Sequence, residues 1–160
     1  MSSFKITLND LNDTQILAKK IADSIEVPMI VTMNGDLGAG KTTLVREIIL
    51  ALGVTGRVKS PTFTLLEEYD ISLGKVLHFD LYRFADPEEW LDLGFDELLD
   101  GNNCIAFIEW AERAQVLLKC TDWKIDINVI NENMRELNIN GQTDLGEKCL
   151  RKLIKAVEAS

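Results

Sequence analysis

Cysteine is scarce in this sequence, and the three that occur form no recognisable ligand or disulfide pattern. They are Cys104, Cys120 and Cys149, an odd number without a C-x-x-C pair, which argues against both a disulfide framework and a zinc site. Cys104 opens an apolar run, so we expect it in the core. With 46% hydrophobic residues there is enough apolar material for a core, and a length of 160 residues suits a single domain, residues 1–160.

Positive charge is also in short supply. The chain has 17 Lys and Arg residues against 26 Asp and Glu residues, which gives a formal net charge of −9 and a pI of about 4.6. No run of Lys or Arg is present. Because such a chain repels a polyanion on average, we expect no strong direct binding of nucleic acid. The acidity favours solubility, and it is compatible with a basic protein partner.

Long apolar runs are absent as well. No stretch is long enough to cross a membrane as a helix, and residues 1–5 lack the charged-then-apolar pattern of a signal peptide. The sequence contains no internal repeat, low-complexity tract or linker. We therefore expect a cytoplasmic protein that is not associated with a membrane.

One complete motif is present, the phosphate-binding loop G-x-x-x-x-G-K-[ST]. It consists of Gly35, Asp36, Leu37, Gly38, Ala39, Gly40, Lys41 and Thr42. The apolar run 29–33 predicts a buried strand before the loop, and the stretch 42–52 predicts a helix with one apolar face after it. Because strand, loop and helix follow in the order that the motif requires, a chance match explains the pattern less well.

The residue types of this loop suit a nucleoside triphosphate. The glycines Gly35, Gly38 and Gly40 let successive backbone N–H groups point inward and leave the approach free of side chains. The helix that begins near Lys41 adds the positive end of its dipole. The Lys41 side chain would reach the β- and γ-phosphates, and the Thr42 hydroxyl would hold Mg²⁺, which takes oxygen ligands. The predicted cofactors are thus ATP and Mg²⁺.

Two residues near the N-terminus are candidates for contacts with adenine. A helix is predicted over residues 14–25, directly before the strand of the phosphate loop, and a helix in this place often lies near the nucleotide base. Leu11 and Thr14 would then face the base. Ordinary capping and packing explain both residues equally well, so the alternatives stay open.

Ser60 and Thr62 are candidates for sensing the γ-phosphate. They flank Pro61, which biases the segment toward an extended shape, in the loop that follows the predicted nucleotide-binding helix. Either hydroxyl would be able to contact Mg²⁺ or phosphate. A plain turn into the next strand accounts for these residues just as well.

Two acidic residues stand at the ends of predicted strands. The strands 64–69 and 75–79 form a predicted hairpin that leads into Asp80, and the apolar run 104–108 leads into Glu109. In an open α/β sheet the carboxyl ends of the strands face the ligand, and an apolar strand that ends in an acid is the Walker B arrangement. Each acid is a candidate for binding Mg²⁺ or for activating water, and spacing does not distinguish the roles. The alternative for Glu109 is a solvated acid at a strand end.

Three neighbours of these acids have more than one interpretation. His78 is the only histidine, and beside an apolar strand we predict it to be packed and hydrogen-bonded rather than catalytic. Arg83 would form a salt bridge or, less commonly, meet a phosphate. Trp110 would pack near the site, meet a partner or belong to the core.

The remaining patterns complete the chain. Alternation predicts strands at residues 4–8, 123–130 and 134–140, and apolar periodicity predicts helices at 111–118 and 144–158. The segment Asp86-Pro87-Glu88-Glu89 predicts a helix start, with the helix ending at Gly94, and residues 100–103 predict a turn.

Four motifs in order resemble those of the bacterial TsaE family, formerly YjeE. They are residues 35–43, which extend the phosphate loop to Thr43, then Ser60-Pro61-Thr62-Phe63, His78-Phe79-Asp80-Leu81-Tyr82-Arg83, and Ile108-Glu109-Trp110. The resemblance covers nearly the whole chain. With it, the predicted fold is α/β, a three-layer P-loop NTPase fold with a mostly parallel central sheet, antiparallel additions and helices on both faces.

The resemblance implies a small P-loop ATPase of tRNA modification. Members of this family support the formation of N6-threonylcarbamoyladenosine at position 37 of tRNAs that read codons starting with A. They act with the TsaB–TsaD pair, on which their ATPase activity depends. The negative charge of this chain fits that role, because the partners would handle the tRNA.

The resulting hypothesis is Mg²⁺-dependent ATP hydrolysis coupled to a protein complex. The loop amides and Lys41 stabilise charge on the transferring phosphoryl group, Thr42 and Glu109 hold Mg²⁺, and Asp80 positions or deprotonates the water. The roles of Asp80 and Glu109 are interchangeable at this point, so both are also metal candidates. The predicted nucleotide-binding residues are Leu11, Thr14, residues 35–43, Ser60 and Thr62.

Two other classes of function share the phosphate loop. A small-molecule kinase needs an acceptor pocket and usually an Arg-rich lid, for which this chain has little room and no matching stretch. A non-hydrolysing nucleotide switch would bind ATP or GTP. The guanine-reading N/T-K-x-D motif is absent, because the K-x-D sequence at Lys124 is preceded by Trp123, and this favours adenine.

Overall fold

The computed structural model describes residues 2–99, 103–114 and 119–159. Within these ranges the strands are β1 (Ser3–Leu8), β2 (Met29–Asn34), β3 (Leu66–Ile71), β4 (Gly74–Asp80), β5 (Cys104–Glu109), β6 (Trp123–Val129) and β7 (Arg135–Gly141). The helices are α1 (Leu11–Ser24), α2 (Lys41–Ala51), α3 (Glu89–Asp92), α4 (Phe95–Leu99) and α5 (Asp144–Glu158), with a 3-10 helix at Ala111–Arg113.

All of these strands belong to one sheet, in the order β1-β7-β6-β2-β5-β4-β3. The four central strands β6, β2, β5 and β4 are mutually parallel. The remaining strands add antiparallel pairs at the two sides, β3 beside β4 and β7 with β1 beside β6. The predicted mostly parallel centre with antiparallel additions is therefore confirmed, as is the hairpin of β3 and β4.

Helices cover both faces of the sheet, as predicted. On one face α1, α2 and α5 bury apolar side chains such as Ile21, Ile48 and Leu153 against the sheet. On the other face α3 and α4 enclose a smaller aromatic core, in which the rings of Phe79, Trp90 and Phe95 have centroids 5.0–5.3 Å apart.

Strand β5 lies between these two cores and is buried along its whole length. Its residues alternate between them: Ile105 and Phe107 belong to the first core, and Ala106 and Ile108 to the second. This explains why the strand is a continuous apolar run rather than an alternating one. Cys104 is buried at its start, as expected.

The predicted boundaries of α1 and of the helix after β5 differ from the structure. Helix α1 begins at Leu11 instead of residue 14, because the Asp10 side chain accepts a hydrogen bond from the Asp13 N–H at 2.8 Å and caps the helix earlier. Of the helix predicted over 111–118, the described residues form only the 3-10 helix Ala111–Arg113, whose hydrogen bonds span three residues instead of four. Residues 115–118 of that prediction lie outside the described residues, as do residues 100–102 of the predicted turn.

The predicted helix start at residues 86–89 is a hydrogen-bonded turn, and α3 itself begins later, at Glu89, with Glu88 as an N-cap that makes no side-chain capping bond. The Asp86 side chain accepts from the Glu88 N–H at 2.9 Å, and the Glu89 side chain accepts from the Asp86 N–H at 3.1 Å. These two hydrogen bonds hold the turn that precedes α3. No helix in the described ranges combines the length and the apolar character needed to span a bilayer.

Candidate nucleotide-binding site

The phosphate loop connects β2 to α2, and glycine is required at both of its ends. Gly40 is the N-cap of α2 and has φ +106°, a left-handed conformation that residues with a Cβ rarely adopt. At Gly35 a Cβ would lie 2.8 Å from the carbonyl oxygen of Ile127. The loop therefore approaches β6 closely and then enters the helix with a sharp change of backbone direction.

Helix α2 presents its N-terminus to the loop without a side-chain cap. The N-cap residue, Gly40, has no side chain that could accept a hydrogen bond from the first N–H groups of the helix. The first N–H groups of a helix have no partner within the helix, and the helix dipole makes this end positive. Such an end is suited to an anion, and phosphate is the anion that this loop type binds.

Lys41 is held in the centre of the loop. The side chain is buried, its Nζ donates to the carbonyl oxygen of Gly35, and it lies 3.8 Å from the centroid of the Trp110 ring. Burial lowers the pKa of Lys41, and the nearby carboxylate of Glu109 is the largest opposing influence. The ammonium group is thus poorly solvated, so an anionic ligand would interact strongly with it.

Glu109 connects α2 to the sheet. The Thr42 hydroxyl donates to its two carboxylate oxygens at 2.9 and 3.0 Å. The His78 Nε2 lies 2.6 Å from Glu109 Oε2, and His78 is completely buried. A carboxylate oxygen accepts, so Nε2 is the donor of this hydrogen bond. The Nδ1 of His78 has no hydrogen-bond partner among the described residues.

Asp80 is the neighbour of Glu109 across the β4–β5 pair. Burial raises the pKa of the Asp80 carboxyl, and the negative charge of Glu109 raises it further. The backbone N–H of Tyr82 donates to Asp80 Oδ1 at 3.0 Å and partly offsets the increase. A carboxylate with a raised pKa is a stronger base, so the surroundings of Asp80 suit proton transfer.

Two cavities meet at the phosphate loop and share Gly40 and Thr43. The first has about 240 Å³ and is also lined by Leu37, Gly38, Lys41, Thr42, Thr62, Asp80, Tyr82, Glu109 and Trp110. The second has about 180 Å³, and its lining includes Leu11, Thr14, Ala39, Asn133 and Arg135. Leu11 and Thr14 thus share a cavity with the loop, in addition to their place in the capped first turn of α1.

Three predicted site residues lie outside the lining of both cavities. The Ser60 hydroxyl lies 2.8 Å from the Thr62 hydroxyl, so it is one contact away from the first cavity. Asp36 is exposed, and its carbonyl closes the loop by accepting from the Ala39 N–H at 3.0 Å. Gly35 contributes the carbonyl that Lys41 contacts. These three residues therefore support the site through contacts with its lining residues, and they do not line either cavity themselves.

The structure adds residues that the motifs did not reveal. Arg135, at the start of β7, donates from Nε to the carbonyl oxygen of Ala39 at 3.0 Å and so ties the loop to a distant strand. His78 is packed and hydrogen-bonded as predicted, but its partner is the site residue Glu109. Trp110 lies over Lys41 and against the Tyr82 ring, which places it in the site rather than in the core alone.

Arg83 does not form the salt bridge that was predicted as the commoner of its two roles, and its contact with a phosphate stays a prediction. Its guanidinium lies 4.7 Å from the centroid of the exposed Phe63 ring, and among the described residues it forms no salt bridge. No sequence signal predicts the contact of Arg83 with Phe63 or that of Arg135 with Ala39, because the partners are 20 and 96 residues apart in the chain.

The oxygen atoms present fit a magnesium ion that shares its coordination with a nucleotide. No group of three or more His, Cys, Asp or Glu side chains in the described parts of the chain is suited to hold a metal on its own. The adjacent hydroxyl of Thr42 and carboxylate of Glu109 offer hard oxygen donors. Mg²⁺ is commonly bound by one or two such groups together with phosphate and water, so this donor set is suitable.

Comparisons with known proteins agree on one family. The model of TsaE, described as threonylcarbamoyl adenosine biosynthesis protein TsaE, matches residues 8–137. The tRNA threonylcarbamoyladenosine biosynthesis protein TsaE of Haemophilus influenzae is 42% identical over 125 residues, 78% of each chain. The Bacillus subtilis protein of the same name is 38% identical over 116 residues, 67% of this chain and 72% of its own. A crystal structure of Bacillus subtilis YdiB has a TM-score of 0.78 at 26% identity and covers 97% of this chain and 96% of that one.

Proposed function

Because this chain belongs to the TsaE family of threonylcarbamoyl adenosine biosynthesis proteins, we propose that it hydrolyses Mg·ATP in support of that tRNA modification. The TsaB–TsaD pair is the proposed partner, as the resemblance of its motifs implies. One observation in particular supports the proposed hydrolysis of Mg·ATP. Lys41, Thr42, Asp80 and Glu109 line a single cavity that opens on the N-terminus of α2.

The triphosphate would bind along the loop, with its charge opposite Lys41 and the first amides of α2. The low solvation of Lys41 makes this attraction stronger than it would be at an exposed lysine. The adenine would occupy the second cavity, beside Leu11 and Thr14. The shared residues Gly40 and Thr43 make the two cavities adjacent, which suits a ligand with a base at one end and phosphates at the other.

Thr42 and Glu109 would hold Mg²⁺, and His78 would keep the Glu109 carboxylate in position. When bound, the ion supplies charge neutralisation on the β- and γ-phosphoryl oxygens. The contact between Thr42 and Glu109 favours this assignment over the exchange of roles, because Asp80 has no hydrogen bond to either residue among those described.

Asp80 would position the attacking water and accept its proton. The raised pKa supports a role as a base, and its place beside Glu109 puts it at the edge of the same cavity. Lys41 and the loop amides would stabilise the charge that develops on the transferring phosphoryl group. Thr62, supported by Ser60, would contact the γ-phosphate side and respond to its loss.

The substitution Lys41→Ala tests the nucleotide site. Hydrogen bonds to charged groups contribute about 1.5–3 kcal/mol, so the Kd for Mg·ATP should rise by about ten- to a hundredfold. Equilibrium binding measures this, with Lys124→Ala, an exposed lysine on β6, as the matched control. Undiminished affinity in Lys41→Ala would contradict the assignment of the loop.

Phosphate release from Mg·ATP tests the reaction and its dependence on a partner. We expect little release by the protein alone and clear stimulation when the TsaB–TsaD pair is added. Little release in both cases would favour a kinase that lacks its acceptor or a non-hydrolysing switch. Fast release by the protein alone would contradict the dependence on a partner.

A further inference from the structure

An open cleft of about 640 Å³ lies on the outer side of the loop that carries Ser60. Its positive charges are Arg46 from α2 and Arg57 and Lys59 from the loop after α2. Its lining is completed by Val58, Ser60, Phe63, Thr64 and Glu67. We refer to these eight residues as the cationic cleft.

The three cations of the cleft have no carboxylate partner in the parts of the chain that the structure describes. Elsewhere, lysines such as Lys75 and Lys148 are paired with acids. Glu67 is the acid of the cleft, and it accepts a hydrogen bond from the Thr64 hydroxyl at 3.1 Å. In a chain with a net charge of −9, three unpaired cations around one cleft make a local region of positive potential.

Phe63 contributes an apolar side chain to the cationic cleft. Its side chain is 76% exposed, and the Arg83 guanidinium covers one face of the ring at 4.7 Å, which brings a fourth cation to the edge of the cleft. Aromatic residues and arginine are both enriched in protein interfaces relative to the rest of the protein surface.

The cleft is connected to the nucleotide cavity through a short segment. At one end, the Tyr69 hydroxyl on β3 accepts from the Lys59 N–H at 2.9 Å and donates to its carbonyl at 3.3 Å. At the other end, Thr62 lines the first cavity and lies next to Phe63 in the chain. A ligand of the cleft would therefore act on the segment proposed to sense the γ-phosphate.

We propose that the cationic cleft is the docking site for an acidic segment of a protein partner. The inference rests on the proposed function, because it names the surface through which a partner would reach the nucleotide site. A carboxylate-bearing segment matches the unpaired guanidinium and ammonium groups, and an apolar residue within it would pack on the free face of Phe63.

Nucleic acid fits this surface less well. Proteins that bind single strands usually stack successive bases on several aromatic rings. Here Arg83 already covers one face of Phe63, and no second aromatic residue lines the described cleft.

A pair of charge reversals tests the proposal. The double variant Arg57→Glu/Lys59→Glu changes two exposed residues of the cleft. Lys119→Glu/Lys124→Glu makes the same change of charge at two exposed residues, and Lys124 lies on β6, four strands from β3. The Kd for the TsaB–TsaD pair is measured with Mg·ATP at low and high salt. We expect the cleft variant to bind the pair at least about tenfold more weakly than the wild type, and the control variant to bind it as tightly as the wild type. High salt should weaken the binding of the wild type.

An oligoglutamate peptide serves as a probe that does not depend on this pair. It should bind the wild type and the control variant but not the cleft variant. The Kd for Mg·ATP and the Tm should be unchanged in all three proteins, because the substituted residues are exposed and lie outside the nucleotide site.

The outcomes separate this proposal from the proposed function. Failure of the wild type to bind Mg·ATP would refute the proposed function. Normal ATP binding, together with equal affinity of the wild type and the cleft variant for the TsaB–TsaD pair, would overturn the docking site alone. So would the absence of binding to both the pair and the peptide. Binding of tRNA that is lost in the cleft variant would replace the acidic protein segment by nucleic acid.

Discussion

The carboxylate of Glu109 accepts hydrogen bonds from residues of two different elements, Thr42 at the start of α2 and His78 in β4. Because His78 is completely buried and its Nδ1 has no partner among the described residues, Glu109 is the one anchor of its ring through hydrogen bonding. The pair therefore orients both side chains. At the scale of single residues, the position of the Glu109 carboxylate depends on a histidine that does not itself line the cavity.

Replacing His78 should weaken the binding of Mg²⁺ rather than the binding of nucleotide. His78→Phe removes the donor and leaves Glu109 with one less buried hydrogen bond, which is worth about 1.5–3 kcal/mol for a charged group. The gain in ATP affinity on adding Mg²⁺ should fall by about tenfold or more. Binding of ATP is measured with and without Mg²⁺.

The variant His78→Gln is the control, since its amide can donate where Nε2 does and should restore part of the Mg²⁺ effect. A purely structural role would lower the Tm of His78→Phe and leave the Mg²⁺ dependence of binding as in the wild type. That result would rule out positioning of Glu109 by His78.

At the scale of elements, the phosphate loop is supported from the antiparallel side of the sheet. Arg135 at the start of β7 donates to Ala39 in the loop and to the carbonyl groups of Asn131, Glu132 and Met134 in the turn before β7. The β6–β7 hairpin and the loop are thus joined by one side chain. The antiparallel addition to the sheet consequently has a part in shaping the nucleotide site.

Removal of the Arg135 side chain should make the phosphate loop less ordered. In Arg135→Ala, the Ala39 carbonyl loses its charged donor, and we expect the Kd for Mg·ATP to rise by about tenfold, as for a hydrogen bond to a charged group. Isothermal calorimetry checks this, with Arg151→Ala on the exposed face of α5 as the matched control. Equal affinities of the two variants would show that the loop holds its shape without Arg135.

Helix α5 contacts the loop before β6 through a glycine. A Cβ at Gly146 would lie 2.0 Å from the carbonyl oxygen of Asp122, a backbone atom that cannot rotate away. Alanine favours a helix over glycine by about 1 kcal/mol, but forced overpacking costs about 1–3 kcal/mol, and a contact this close puts the cost at the upper end.

Gly146→Ala should therefore lower the Tm by several degrees, at about 2–4 °C per kcal/mol for a chain of this size. Thermal unfolding followed by circular dichroism gives the value, with Lys155→Ala on the exposed side of the same helix as the control. An unchanged or higher Tm would mean that α5 can shift away from Asp122 at little cost.

At the scale of the whole molecule, the nucleotide site joins parts of the chain that are far apart in sequence. Its two cavities are lined by residues from α1, the phosphate loop, α2, β4, β5 and the β6–β7 hairpin. A ligand that contacts all of these elements would bind the folded state only. Its binding would then stabilise the entire fold by mass action.

Mg·ATP should accordingly raise the Tm of the protein. A concentration one hundred times the Kd adds about 2.7 kcal/mol, which corresponds to roughly 5–10 °C for a chain of this length. Mg·GTP at the same concentration should shift the Tm less, because the guanine-reading motif is absent. Scanning calorimetry measures both, and Lys41→Ala is the control that should lose the shift. Equal shifts with ATP and GTP would contradict the preference for adenine.

Much of the fold was predictable because its signals are local. The apolar run of β5 predicted a strand buried on both faces, and the apolar face of residues 144 to about 158 predicted α5. Asp80 and Glu109 were each predicted to stand at the end of a strand, and both do. That they are direct neighbours across the β4–β5 pair was not predicted. Helix boundaries were less predictable: α1 begins three residues earlier than predicted, because the Asp10 side chain caps it.

The sequence by itself determined the phosphate-loop motif between a strand and a helix, with Lys41 and Thr42 at the helix start, because the motif and the apolar patterns around it are local. The tertiary structure alone decided that His78 contacts Glu109, that Arg135 holds Ala39, and that the cations of the cleft lie together without acids. Those contacts join residues separated by tens of positions, and their distances follow from the packing of the sheet and helices rather than from any local preference.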